Sequence, residues 1–490
     1  MSNRRRALWS GAALALVMSL AAGSASAETL AEAIALAYET NPTLQAQRAE
    51  QRALDETYVQ ARTALRPTLD LGLSATYESR ANGSEADSGS FGLSATQPIW
   101  TGGRAVRGID AAQADVLQGR ENLRALEAQI LANVVQAYVD VRRDIEALRI
   151  NQENVSVLQR QLEEASARFE VGEITRTDVA QAEARLASSQ AQLASAQAQL
   201  SVSRANYASV VGQSPADLAP EPALPGVPTT FDEAINVAER ENANVRAAER
   251  AEQAARARLA VARAQHNPTV GLSASYGSSD TLDDFASNFF DNDNASATAR
   301  VSVPLFTGGL NSSRVAQAFE RANAAQINVE AERRTTLQSV SSAYAQALSA
   351  RSALQAGEEA VRAATVAAEG VRQEAQVGLR TTLDVLNQEL ELRNAEVTLA
   401  SARRNEYVAQ ANLLAAMGRL EGADLDPTLS LYDPVDNYRR VRNRGALPWD
   451  GVLEALDRIV APPIVPANDA ADAPIDQQLK SEIVQTAPRD

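Results

Sequence analysis

PIWTGGR at Pro98–Arg104 returns as PLFTGGL at Pro304–Leu310, and VGEITRTDV at Val171–Val179 returns as VGLRTTLDV at Val377–Val385, both displaced by about 206 positions. Two motifs repeated at one offset mean one structural unit written twice. Upstream, LAEAIALAYETNPTLQAQ from Leu30 recurs as FDEAINVAERENANVRAA from Phe231, and Arg66-Pro67-Thr68-Leu69 recurs as Asn267-Pro268-Thr269-Val270, at an offset of about 201. Extra residues in the second copy's polar loop account for the change. Downstream, Ala205-Asn206 and Gly212 are echoed by Ala411-Asn412 and Gly418. The first repeat is therefore expected over residues 28–213 and the second over 229–420. Between them SPADLAPEPALPGVP, residues 214–228 with five prolines, reads as an extended linker.

Each copy carries two strands and long helices. From Thr68 the sequence alternates with the period of a strand, Leu69, Leu71, Leu73, Ala75 and Tyr77 against Asp70, Gly72, Ser74 and Thr76. The second copy alternates likewise, Val270, Leu272, Ala274 and Tyr276 against Gly271, Ser273 and Ser275; its partner run sets Ala297, Ala299, Val301 and Val303 against Thr298, Arg300 and Ser302. Phe91, Leu93 and Ala95 open the matching run of the first copy. Loops rich in Gly, Ser, Asp and Asn, from about Glu78 to Ser90 and from about Ser278 to Ala295, join each pair on one side, which suits an outer-membrane barrel. Tyr77 and Tyr276 end the ascending strands, Trp100 and Phe306 the descending ones, so aromatics are expected at both membrane interfaces. Half-buried strands of a soluble sandwich are the other reading. Four strands per chain fall short of the roughly eight that close the smallest membrane barrel, so oligomerisation is expected. A trimer would supply twelve strands, and strand counting also permits a dimer.

After TGGR a helical pattern without proline runs from Gly103 to about Glu170. Leu123, Leu126, Ile130, Val134, Tyr138, Val141, Ile145, Leu148, Val155, Leu158, Leu162 and Phe169 advance mostly by three or four, the seam of a coiled coil. At 1.5 Å per residue such a helix is about 100 Å long, too long for a compact domain. Helices of about half that length are predicted from Leu30 to Leu65 and from Thr177 to Val211, and two end to end would match the long one. A free-standing coiled-coil fibre would share these helices but neither the strands nor the duplication.

The chain begins with Arg4–Arg6, an apolar run from Ala7 to Leu20 and Ala25-Ser26-Ala27, the pattern of a secretory signal (residues 1–27) cut after Ala27. Cleavage would take the net charge from −16 to about −19. No later run reaches the roughly 18 apolar residues of a membrane helix, leaving a soluble protein or a β-barrel. Cysteine is absent, which excludes disulfides, thiol nucleophiles, cysteine metal clusters and a lipidated N-terminus. The single histidine, His266, beside Asn267-Pro268, reads as a surface residue rather than a metal ligand. The acidic balance disfavours nucleic acid as a partner.

Over about Glu28 to Leu420 these features, in order, resemble the TolC family of outer-membrane channel-tunnels. The resemblance rests on the duplicated helix-strand-strand-helix-helix unit, the proline-aromatic-TGG strand exits, and the stretch VGLRTTLDVLNQELEL from Val377 with Arg380, Thr381, Asp384 and Leu386 in place. It implies a mainly α protein with a membrane β-barrel, four strands per protomer, and a homotrimer whose long α-helical coiled-coil barrel forms a periplasmic tunnel. It further implies no enzymatic activity and no cofactor. The implied partners are outer-membrane lipid, a periplasmic adaptor (membrane-fusion) protein and an inner-membrane transporter. At the tunnel entrance Arg380 matches the arginine of a closing link, Thr177 and Asp178 match its polar and acidic partners in the neighbouring coil, and Asp384 matches an outer acidic ring. Asn387 stands where a second aspartate is common and Ala375 where a tyrosine often joins the network, so this entrance is expected to be less acidic and more loosely latched. The simpler reading leaves Arg380 and the aspartates as caps and solvating charges at helix ends.

The LRTTLDVLN wording and the missing lipidated cysteine favour type I protein secretion with an ABC-type transporter. Small-molecule efflux by a proton-driven pump is the alternative, and a periplasmic coiled-coil structural protein is the reading from another class. Residues 421–490 form a C-terminal extension expected to be largely disordered, with APPIVPANDAADAPIDQQ from Ala461 the least structured part.

Overall fold

The computed structural model describes residues 27–81, 85–285, 293–426 and 428–466. The expected secretory signal, apart from Ala27, and the end of the C-terminal extension lie outside the described residues. The first repeat comprises α1 (Leu30–Thr40), α2 (Pro42–Arg62), β1 (Thr68–Ser79), β2 (Glu85–Trp100), α3 (Arg104–Glu170) and α4 (Arg176–Val211). The second comprises α5 (Phe231–Glu241), α6 (Ala243–Arg263), β3 (Thr269–Asp280), the short α7 (Leu282–Phe285), β4 (Asp293–Ser302), α8 (Leu310–Gln376) and α9 (Thr382–Met417). α3 and α8 are each 67 residues long and α4 and α9 each 36, so the duplication holds residue for residue through the long helices.

The helix expected from Leu30 to Leu65 is broken in two. Asn41 turns out of the helix at φ −61°, ψ 120°, and its side-chain oxygen accepts from the Thr43 and Leu44 amides at 3.0 and 3.2 Å. Asn242 adopts φ −61°, ψ 123° and accepts from the Asn244 and Val245 amides at 2.9 and 3.2 Å. Only the first break has a proline behind it, Pro42. The asparagine cap is therefore the shared cause, because its amide oxygen satisfies donors at the start of the new helix.

The chain divides into two compact units. One holds residues up to 37 together with 134–223 and 357–404; the other holds 38–133, 224–356 and the residues from 405 onward. In the first, Glu28 is nearly buried. Its carboxylate accepts from the Tyr207 hydroxyl (2.6 Å), Gln213 Nε2 (3.0 Å) and the Ala216 amide (3.2 Å), and its carbonyl from the Tyr138 hydroxyl (2.9 Å). Burial pushes the Tyr138 phenol up to about 12 and that of Tyr207 upward too, so both remain donors near neutrality. The residues between the repeats, 214–228, carry neither helix nor strand and touch this clasp through the Leu218–Glu28 bridge. The second unit is built around Phe231, Ile235, Val340, Leu413 and Met417, with a separate cluster of Tyr38, Leu44, Leu123 and Ile130.

The second unit also contains the antiparallel sheet, in the order β1-β2-β3-β4. Its register carries the alternation across strands. Leu71 lies opposite Leu93, Leu93 opposite Tyr276, Ala274 opposite Ala297 and Val270 opposite Val301, giving one continuous apolar face. Ser74 lies opposite Ser90 and Ser275 opposite Ser296, with hydroxyl pairs at 2.7 and 2.8 Å on the other face. The strands outrun the expected loops, because Ser79 pairs with Glu85 and Ser278 with Asp293. Ladder hydrogen bonds are made by the backbone, so polar side chains do not end them. Among the described residues neither β1 nor β4 has a partner on its outer edge.

The described part of the C-terminal extension, up to residue 466, contains three helices. α10 (Gly422–Leu425), α11 (Pro434–Val441) and α12 (Asp450–Arg458) fold within the second unit. Asp457 is fully buried and accepts from the amides of Thr101 (2.6 Å), Gly103 (3.1 Å) and Val106 (3.3 Å), supplying acceptors to the start of α3. Asp450 pairs with Arg66 at 2.9 Å and Glu454 with Arg62 at 2.7 Å. Gly103, at φ 86°, lies so close to Ala461 that a Cβ there would come within 2.3 Å of it. Buried carboxylates hold this segment alongside apolar contacts such as Leu429 and Tyr432 on the Tyr38–Leu44 cluster, and composition shows neither.

The two faces of the sheet should respond differently to charge. Arginine at Leu71 or Leu272 should cost about 2–4 kcal/mol near mid-membrane and lower the yield of membrane-inserted protein, whereas arginine at Ser74 or Ser273 should leave it near wild type. Equal yields from both sets would reverse the assignment of the faces.

Candidate functional site

Both helical hairpins of the first unit end in the same turn. α3 closes at Glu170, Gly172 turns at φ 80°, and Thr175 caps α4; α8 closes at Gln376, Gly378 turns at φ 77°, and α9 opens at Thr382. In the first turn Asp178 accepts from the Thr175 amide (2.9 Å) and hydroxyl (2.8 Å), and the Asp178 amide donates back to that hydroxyl. In the second, Asp384 accepts from the Thr381 amide (3.0 Å) and hydroxyl (2.8 Å), and its own amide donates back at 3.2 Å. These are two reciprocal capping boxes. The Thr175 hydroxyl, then its amide, holds the Asp178 carboxyl below the ordinary aspartate range; for Asp384 the Thr381 amide ranks first and its hydroxyl second.

Charges brace each turn with opposite polarity. Arg168 of α3 donates through Nε to Glu173 at 3.1 Å, whereas Arg380 donates through Nε to Glu374 of α8 at 2.8 Å. Arg168 and Glu374 occupy equivalent positions of the two repeats, so the brace has swapped sign. The hydrogen bond Arg380 donates to the Glu374 carboxylate raises the Arg380 pKa further, and the group is permanently cationic. Leu386 packs with Leu158, Ala165 and Ala182 and joins the two hairpins. Beside it, Asn387 accepts from Arg185 of α4 at 2.9 Å, and Arg372 pairs with Glu389.

Within one chain, then, Arg380 meets Glu374, and the two aspartates meet their own caps. Thr177 lies exposed in the first turn of α4. The braces by Glu374 and Arg185 were missed in the sequence; aligning Arg168 with Glu374 at the repeat offset would have exposed the first. At the sheet, Tyr77 is largely exposed, and Tyr276 stands edge-on to Phe91 with ring centroids 5.8 Å apart. Trp100 ends β2 opposite Val270 after a bulge at Pro98. Phe306 does not end a strand, because β4 stops at Ser302 and Phe306 is 91% exposed. An edge strand running into Pro304 has no second ladder to extend it. His266 is exposed at the end of a short 3₁₀ turn.

Because the folded pKa of each capping aspartate is depressed, the cap is in place above the ordinary aspartate value and is lost only as pH falls through the lower folded value. Hydrogen-exchange protection of the Thr381 amide, which donates to the Asp384 carboxylate, should therefore survive acidification past the usual aspartate range. It should be lost at neutral pH in Asp384→Ala, with the Thr175–Asp178 turn unchanged. Equal protection in the variant would mean that the box does not hold the turn.

Comparison with known proteins bears on the family and the fold. The sequence pattern described as "Outer membrane efflux protein" matches residues 33–213 and 234–419, which are the two repeats. The outer membrane efflux protein BepC of Brucella suis biovar 1 is 33% identical over 431 residues, 88% of this chain and 93% of BepC. The outer membrane protein TolC of Escherichia coli K12 is 28% identical over 422 residues, 81% and 84% of the two chains. The alkaline protease secretion protein AprF of Pseudomonas aeruginosa is 27% identical over 320 residues, 64% of this chain and 66% of AprF. In fold, the chain is similar to the open-state MtrE outer membrane channel of Neisseria gonorrhoeae, with a TM-score of 0.68 at 24% identity over 80% of this chain and 89% of that one. The chain thus belongs to the outer membrane efflux protein family, a TolC-like channel-tunnel protein of the outer membrane with its helical part in the periplasm.

Proposed function

We propose that three copies of the chain close one barrel and act as the exit duct of a tripartite export system, to which a periplasmic adaptor and an inner-membrane transporter bring energy and substrate. The carrying observation is the four-stranded sheet with one apolar face and two unpartnered edges. Only closure satisfies such edges in lipid, and four strands cannot close alone. Val171, Val377 and Leu379, each more than 70% exposed at the hairpin turns, offer apolar surface to the adaptor. Within the trimer, Arg380 exchanges its Glu374 brace for Thr177 or Asp178 of an adjacent coil and holds the entrance shut, while Asp384 repeats around the axis as an acidic ring. Tyr77, Trp100 and Tyr276 sit at the membrane interfaces, and Phe306 joins them on assembly.

Two routes have support. BepC, similar over most of both chains, is named for efflux and weighs toward small-molecule efflux, which we place first. The LRTTLDVLN stretch and the similarity to AprF weigh toward protein secretion with an ABC-type transporter. Deleting the gene separates them: an efflux duct leaves cells sensitised to dyes and detergents with an unchanged secreted-protein profile, and a secretion duct leaves the reverse.

In planar bilayers Arg380→Ser should raise single-channel conductance, and Asp384→Asn should weaken both cation selectivity and block by multivalent cations. Since Asn387 is uncharged, the single Asp384 change should remove most of that block. Wild-type values in both variants would reduce these residues to helix-end charges, and a dimeric mass in detergent would overturn the trimer.

A further inference from the structure

Helix α12 is amphipathic in an inverted sense. Its protein-facing stripe, Asp450, Leu453, Glu454 and Asp457, is mainly carboxylate. Those acids are consumed internally, by Arg66, by Arg62 and by the amides at the start of α3. Its outward stripe is apolar, with Trp449 48%, Val452 69%, Leu456 42% and Ile459 77% exposed, and Val460 follows at 50%. A surface helix in water has the opposite arrangement. Contiguous exposed apolar residues at this spacing call for an apolar neighbour.

The position of the helix identifies that neighbour. Asp457 binds the Thr101 amide, one residue after Trp100 at the end of β2, so α12 stands at the foot of a membrane strand. This is the end of the sheet opposite the β1–β2 connection, where the apolar strand face meets the periplasmic side. Nearby charge fits phospholipid phosphate. Arg442, Arg444 and Arg458 are exposed, in a chain whose net charge is −16. Among the described residues, Arg444 and Arg458 pair with Glu56 and Asp110 at the surface, and water or phosphate competes readily for such pairs.

We propose that α12 lies in the periplasmic leaflet of the outer membrane, its Trp449–Val452–Leu456–Ile459 stripe at the acyl boundary and the exposed arginines at the phosphates. The segment thereby acts as an interfacial collar around the foot of the barrel, in the manner of amphipathic helices whose tryptophan and aliphatic face enters lipid. This rests on the outer-membrane location and not on the export route.

The absence of cysteine makes the test clean. Val452→Cys and Ile459→Cys, each carrying a nitroxide, are reconstituted as full-length protein in vesicles of phosphatidylethanolamine and phosphatidylglycerol. The labels should collide with oxygen several-fold more than with an aqueous nickel chelate. Ready access of the nickel chelate would mean a solvent-facing helix, and shielding from both reagents would mean cover by a second copy; either overturns the proposal. Should the labels disturb assembly, Trp100→Phe leaves Trp449 as the one tryptophan after residue 28. Its emission should then be quenched several-fold more by brominated phospholipid than by aqueous iodide, and the reverse order would equally overturn the collar.

Discussion

The open edges of the four-stranded sheet are the constraint on which the rest of this protein depends. A strand edge in hydrocarbon leaves its backbone N–H and C=O groups without partners, at several kcal/mol for each group. β1 and β4 each carry such an edge, and their apolar side chains point away from any core of their own chain, with Leu69, Leu71 and Leu73 all more than 60% exposed. This apolar exposure and these open edges support the proposed closure of several copies into one lipid-embedded barrel. The long helices then follow the strands, α3 directly after β2 through the Gly102-Gly103 turn and α8 after β4 by way of residues 303–309, which end in the Gly308-Gly309 turn; both glycine pairs have positive φ angles.

Duplication supplies the building plan, and the departures from it carry the specificity. The long helices match in length between repeats, yet the brace at each hairpin turn has exchanged its charges, Arg168 with Glu173 in one and Glu374 with Arg380 in the other. Both turns share the same threonine–aspartate box, so local helix capping was kept while the electrostatics around it diverged. The consequence is a pair of hairpins with similar backbones but different charged side chains at their turns.

The C-terminal segment breaks the internal symmetry further. In the first repeat the TGG turn is covered by Asp457 and Ala461, and in the second a Cβ added at Gly308 or Gly309 would meet nothing among the described residues. One repeat is thus finished by its own chain and the other is left open. Since the covering contacts are buried carboxylates set against backbone amides and arginines, their removal would leave unpaired polar groups, which is far costlier than losing a surface ion pair.

The sequence by itself determined what depends on local periodicity. The repeat offset, the alternation from Thr68 and Thr269, the three-or-four spacing along α3, and the glycine-marked turns were all legible, because strand and helix periods and positive-φ glycines act within a few residues. The Asn41 and Asn242 caps were legible in principle, but the apolar pattern ran on through them and hid the break. Tertiary structure alone decided the register that merges the faces of four strands, the Arg380–Glu374 and Arg185–Asn387 pairings, and the docking of α10, α11 and α12. These depend on partners up to several hundred positions away, such as Asp457 and Thr101. No periodic signal announces them, because a single buried carboxylate satisfying a distant helix start has no pattern in its own neighbourhood.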